Sequence, residues 1–160
     1  VTSAVRDVSC WARPNLVRAA ARSLSGSDFW FYSGTVGGAS IEEVAHRKAA
    51  AARGVTLMIM VWSVFDGHPL VTPDPDDWSD ASNRWWWIAS KVFSQEASGT
   101  AYIVIGDEQR SINTWTTIEC PTLIQNPKVR EIVQVPWQEV GEIPVSETIW
   151  RPGWPDPSKS

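Results

Sequence analysis

Three short stretches hold residue types that could do chemistry together. The first is "WWWIAS", in which Trp86 and Ser90 stand four apart. On a helix that spacing places a hydroxyl one turn from an indole. Flat aromatic faces hold flat ligands, and a hydroxyl can meet a sugar. Phe93 and Ala97 continue the same face. Taken alone, the pair reads as the edge of a core, with Ser90 bonded to its own helix backbone. The second stretch is "NTWTTIEC", residues 113–120, which alternates polar and apolar and presents Glu119 between Ile118 and Cys120. A lone glutamate at a strand or loop end is usually solvated, but these apolar neighbours make Glu119 a candidate site carboxylate. The third is "FWFYSG", residues 29–34, where Tyr32 and Ser33 precede Gly34. Gly34, Gly37 and Gly38 would let backbone amides approach a phosphate. The P-loop pattern G-x-x-x-x-G-K-[ST] is absent, so a plain glycine-rich turn is the commoner reading.

These residues need elements to place them. "RPNLVRAAARSLSG" reads as a helix, with Pro14 in its first turn, a stripe of Leu16, Ala19, Ala20 and Leu24, and Gly26 at its end. The stretch around "FWFYSG" reads as a loop with a short extended core. "SIEEVAHRKAAAARG" reads as a helix capped by Ser40 with Glu43 completing a capping box. Its inward residues are expected to be Ile41, Val44, Ala45 and Ala52. "VTLMIMVW" is continuously apolar and of strand length, though a buried helical turn has the same signature. "DGHPLVTPDPDDWSD" is a loop. The tryptophan helix follows, capped by Ser79 or Ser82 and stopped by Gly99, with Trp85, Ile88, Ala89 and Val92 as its core stripe. "TAYIVIG" reads as a buried strand of the parallel kind, "DEQR" as a turn, "VREIVQVPW" as a second strand and "ETIW" as a third. The expected fold is α/β: an N-terminal helical part packed on a small, mainly parallel β-sheet with flanking helices. One domain spans 1–160, ending in a loose Pro-rich tail over about 151–160.

Composition narrows the function classes. The chain is 43% hydrophobic and 20% charged, enough for a core without staples. Its net charge is -4 and no basic stripe is visible, which argues against nucleic acid as a partner. No apolar run is long enough for a membrane span. Cys10 and Cys120 do not form a metal spacing; one long-range disulfide and two buried thiols both remain open. His46, on the charged face of a capped helix, is expected to be solvated, and no metal site with His68 is expected. "PDPDD" lacks the glycine and terminal glutamate of a calcium loop. Eleven tryptophans are far more than a core of this size needs, and tryptophan is a usual residue of flat ligand surfaces. The chain opens at Val1 rather than Met, which fits a trimmed signal or a released toxin segment.

The order "FYSG … VTLM … WWWIASKVFSQEASGTAYIVIG … NTWTTIECPTL … NPKVREIVQV" resembles the ADP-ribosyl cyclase family of NAD-cleaving enzymes, from about Phe29 to about Val135. Family members carry F-W-S, then T-L-E-D, then W-x-x-x-S-x-x-F-A, then S-T-F-x-x-V-E. Here Phe31-Tyr32-Ser33, Thr56-Leu57, Trp86 with Ser90 and Phe93, and Thr114 to Glu119 take those places. The resemblance implies that Glu119 is the catalytic carboxylate, with Ser90 near the ribose. It implies that Trp86 stacks on nicotinamide and that Tyr32 replaces a site tryptophan. Ser33, Gly34 and Thr114 would lie along the phosphates, and Trp115 and Met58 would complete the pocket. Trp85 would face the core and Trp87 the rim. NAD is then substrate, with no cofactor and no metal required.

Met58 stands where the family has the glutamate of T-L-E-D, which leaves the ratio of ADP-ribose to cyclic ADP-ribose open. The chain is also shorter than animal members and holds at most one disulfide. The implied role is a toxin or effector domain, secreted or delivered into a target cell, with a cognate immunity or inhibitor protein as partner. Two other readings stay in view: a non-catalytic nucleotide-binding module, and a mono-ADP-ribosyltransferase, for which the usual E-x-E or Q-x-E is missing.

Overall fold

The computed structural model describes residues 14–24, 26–65, 80–138 and 145–159. Helix α1 spans Pro14–Ser23, strand β1 Phe29–Ser33, and a small hairpin pairs β2 (Thr35–Val36) with β3 (Ala39–Ser40). Then come α2 (Glu42–Ala51), β4 (Val55–Thr56), α3 (Leu57–Phe65), α4 (Asp80–Glu96) and β5 (Gly99–Ile105). A π-helical turn, Trp115–Glu119, runs into α5 (Cys120–Gln125), followed by β6 (Val129–Val135), β7 (Glu147–Trp150) and a 3-10 turn at Pro157–Lys159.

The main sheet has the order β4-β1-β5-β6-β7. Only the β6–β7 pair is antiparallel; the rest run parallel. The architecture is therefore mixed α/β with helices flanking a mainly parallel sheet. Successive residues of β1 point to opposite faces. Phe29 and Phe31 join Trp85, Val92 and Phe93 of α4 in the larger core, together with Val17 of α1 and Leu123 of α5. Phe29 stacks on Phe93 with centroids 4.2 Å apart. On the other face Trp30 and Val104 pack with Ile41, Ala45 and Ala49 of α2. Helix α1 is tied to α4 by Arg18, whose guanidinium meets the buried Glu96 at 2.7 Å. Burial opposes ionisation of Glu96, but hydrogen bonds from Arg18 and Arg22 and the charge of Lys128 hold its pKa below the usual range.

Several local expectations change. "VTLMIMVW" is a two-residue strand that turns directly into α3. "NTWTTIEC" is a helical turn, not an extended end. "FWFYS" is a full interior strand of the sheet, between β4 and β5. On α2, Ala52 is exposed and His46 is buried. In the segment after β7, Trp150 Nε1 donates to the Trp154 carbonyl, and Asp156 accepts from Cys120 and Ser158. Cys120 is a free buried thiol. Cys10, His68 and Ser79 lie outside the described residues.

Candidate functional site

Strand β1 leads through α2 to β4 on one side, whereas β5 lies on its other side and leads on to β6. The strand order reverses between β1 and β5. A crevice opens outside the carboxyl ends of strands at such a switch point, and ligands of open α/β sheets bind there. Ser33 and Gly34 end β1 at this edge, and the segment after β5 carries Arg110, Asn113 and Thr114. A cavity of about 610 Å³ lies here. Glu119, Ser90, Trp86, Tyr32, Ser33, Gly34, Thr114, Trp115 and Met58 line it, whereas Gly37 and Gly38 do not.

Local sequence explains how Glu119 arrives. Asn113 Oδ1 accepts the Thr116 N–H at 2.9 Å, capping the turn at its start. Pro121 has no N–H to offer the carbonyl of Thr117, so the regular ladder cannot run through this point. The chain takes the wider π register over Trp115–Glu119 instead, a form that recurs at functional sites. Trp115, Ile118 and Glu119 are thereby buried, while Thr117 is exposed.

Glu119 is 8% exposed, and among the described residues no hydrogen bond reaches its carboxylate. Burial alone pushes its pKa up to about 8. Near neutral pH it is a protonated acid that a neighbouring cation would ionise. The wall above it is aromatic. Trp86 is held edge-on against buried Trp85, with centroids 4.7 Å apart and planes at 82°. Trp87 lies 48% exposed at the rim. Trp115 meets Phe31 at 6.0 Å. Ser90 is 6% exposed, one turn from Trp86.

Two solved structures match part of this chain. Aplysia cyclase complexed with substrate NGD and product cGDPR matches at 18% identity and a TM-score of 0.48, over 68% of this chain and 48% of that one. An ADP ribosyl cyclase complexed with N1-cIDPR matches at 18% identity and 0.49, over 68% of this chain and 49% of that one. The chain spans about half the length of the solved chains it matches. No family model and no curated protein matches it.

The cavity also holds residues that the sequence reading passed over. Glu42 lines it from the first turn of α2, as do Arg110, Asn113, Asn83 and Ser40 from other segments. Arg110 is the sole Lys or Arg among these lining residues. Glu42 is hydrogen-bonded to His46, which holds its carboxyl below the usual range against the effect of burial, with Tyr32 adding to it. Tyr32 is driven the other way, first by burial and then by the charges of Glu42 and Glu119. The one available signal for Glu42 was its place in the first turn of a helix after a glycine-rich segment. That reads equally well as favourable dipole placement.

Proposed function

We propose that this protein cleaves the nicotinamide–ribosyl bond of NAD, releasing nicotinamide with ADP-ribose, cyclic ADP-ribose or both. The observation that carries the reading is the buried Glu119 acid at an aromatic-walled cavity on the sheet's switch point. The motif order quoted above adds to it.

Nicotinamide is already cationic in NAD, so it leaves without a proton donor. The barrier lies in positive charge building on the ribose, as in glycoside cleavage. A carboxylate withdrawn from water stabilises that charge far more than a solvated one does. Substrate binding brings a cation beside a protonated Glu119, and the acid ionises in response. The proton passes to solvent, and the ionised share is greatest when the cationic substrate is present. Trp86 and Tyr32 supply planes for the ring, and Ser90 a hydroxyl for the ribose. The phosphates run past Gly34 and Thr114 toward Arg110. The carbocation is captured by water or by the substrate's own adenine. Glu119, with its raised proton affinity, is suited to accept the proton that water loses.

The test is incubation with NAD followed by chromatography. Wild type is expected to release nicotinamide, and Glu119→Gln to be slower by at least about a thousandfold, the scale seen when a charge-stabilising group is lost. Equal release by both proteins would remove Glu119 from its role.

A further inference from the structure

We propose that Glu42 is a specificity-determining residue, selecting ligands with a cationic heteroaromatic ring over their neutral counterparts. The inference rests on reading the cavity as a dinucleotide site, and it concerns a residue no part of that reading requires.

Glu42 lines the cavity with its side chain 37% exposed. Its carboxylate is held in place from behind. His46, one turn along α2, brings Nε2 to 3.2 Å from Oε1. The other ring nitrogen, Nδ1, lies 2.9 Å from the Thr56 hydroxyl. Thr56 Oγ1 accepts the Ile59 N–H at 3.0 Å, which leaves the hydroxyl proton for Nδ1. Nε2 then carries the proton that faces Glu42. The Tyr32 ring stands edge-on to the imidazole, with centroids 5.4 Å apart and planes at 84°. Three elements, β1, α2 and the β4–α3 junction, thus fix one carboxylate.

A helix-surface glutamate needs no such support. Glu43, the next residue, is exposed and does not line the cavity. The buttress around Glu42 keeps a negative charge at a chosen place on the cavity wall. Glu119 is mostly protonated in the empty protein near neutral pH, so Glu42 supplies most of the standing negative potential. A cation entering between Trp86 and Tyr32 gains from it, whereas a neutral ring of the same shape does not. At this partly exposed position the gain corresponds to about a tenfold preference.

The experiment uses the full chain and two probes, 1-methylnicotinamide as the cation and nicotinamide as its neutral counterpart, read by quenching of tryptophan fluorescence. Glu42→Gln is expected to weaken cation binding about tenfold and to leave neutral binding within about twofold. Glu42→Asp, which keeps the charge, should retain most of the preference. Glu43→Gln, with the same change in net charge, should leave both probes alone. The proposal is overturned by an unchanged cation-to-neutral ratio in Glu42→Gln, by an equal effect of Glu43→Gln, or by a wild type that does not bind the cation. A protein that binds the cation selectively yet releases no nicotinamide from NAD keeps this inference and loses the catalytic one. Nicotinamide release with an unchanged ratio in Glu42→Gln does the reverse.

Discussion

Ser94, not Ser90, gives its hydroxyl to the helix: Ser94 Oγ donates to the Ser90 carbonyl at 2.7 Å. Among the described residues no hydrogen bond claims the Ser90 hydroxyl, and Ser90 lines the cavity. The two serines should therefore separate in their effects. Ser90→Ala is expected to lower kcat/KM for NAD roughly tenfold, one hydrogen bond's worth, with the thermal midpoint unchanged. Ser94→Ala should leave kcat/KM alone and destabilise by about 1 kcal/mol. Thermal melts and steady-state kinetics on both variants decide it, and the opposite pattern would assign Ser90 to the core.

The rate should follow the titration of Glu119. In the free protein its pKa stands at about 8, so only a fraction is ionised at neutral pH. The kcat/KM profile for NAD is expected to rise with pH and level off above that value. In the complex the cationic ring favours the carboxylate, so the kcat limb should lie at lower pH. A kcat/KM profile that is flat from pH 6 to pH 9 would dissociate Glu119 from the reaction.

Stability should move in the opposite sense. The folded pKa of Glu119 lies above its ordinary value of 4.5, so the folded state binds the proton more tightly than the unfolded state. Below the ordinary value both states are protonated and nothing is lost. Between it and about pH 8 the native state must give up an increasing share of its advantage. The full span amounts to on the order of 5 kcal/mol. Glu119→Gln removes this group's contribution. Urea titrations at pH 5 and pH 9 should show a smaller fall in stability for Glu119→Gln than for wild type. An identical fall in both would mean that the carboxyl is solvated.

Much of this was legible in the residues, for identifiable reasons. Helix α4 shows its two stripes because apolar and polar residues alternate at helical spacing, and Trp85, Ala89 and Val92 are buried as that pattern requires. Strand β5 is a short apolar run bounded by turns, and β6 and β7 are short segments in which β-branched and aromatic residues are interleaved with polar ones. "VTLMIMVW" was not legible, because every residue is apolar and no period can show; the burial of Met58, Met60 and Val61 emerges only in the packed helix. The apparent alternation of "NTWTTIEC" came from Thr116 and Thr117 falling between Trp115 and Ile118, and Pro121 set the turn that hid there. His46 looked solvated because its helix is charged. It is buried because Tyr32 and Thr56, on the strands either side of that helix in the chain, lie against that face.

Gly34 should not accept a side chain. Its φ is +90°, and an added Cβ would collide with the Gln109 carboxamide and the Glu108 carbonyl. Gln109 itself joins the two strand ends: it accepts from the Ser33 hydroxyl at 2.7 Å and donates to the Ser33 and Gly106 carbonyls at 3.0 and 3.1 Å. Gly34→Ala is expected to lower stability by about 1–3 kcal/mol and to raise KM for NAD, because the β1 edge must shift. Gln109→Ala should raise KM with little change in kcat. Unchanged KM in both variants would place the phosphates elsewhere.

The last prediction concerns the segment after β7 and the residue beside Glu119. Cys120 donates its thiol to Asp156 Oδ1 at 3.4 Å, and the Ser158 N–H and hydroxyl donate to the same oxygen at 2.8 and 2.6 Å. Burial, and then the charge of Asp156, push the Cys120 thiol up to about 12, so it should resist alkylation at pH 8 in the folded protein. The 3-10 turn at Pro157–Lys159 packs on the π turn that carries Glu119. Asp156→Ala removes the acceptor shared by Cys120 and Ser158 without touching the cavity. It is expected to reduce kcat about three- to tenfold at nearly constant KM, because Glu119 loses support rather than a substrate contact. Cys120→Ser keeps a donor and should retain most of the activity, whereas Cys120→Ala should resemble Asp156→Ala. If Asp156→Ala changes only the melting temperature and leaves kcat intact, the segment braces the fold and not the carboxylate.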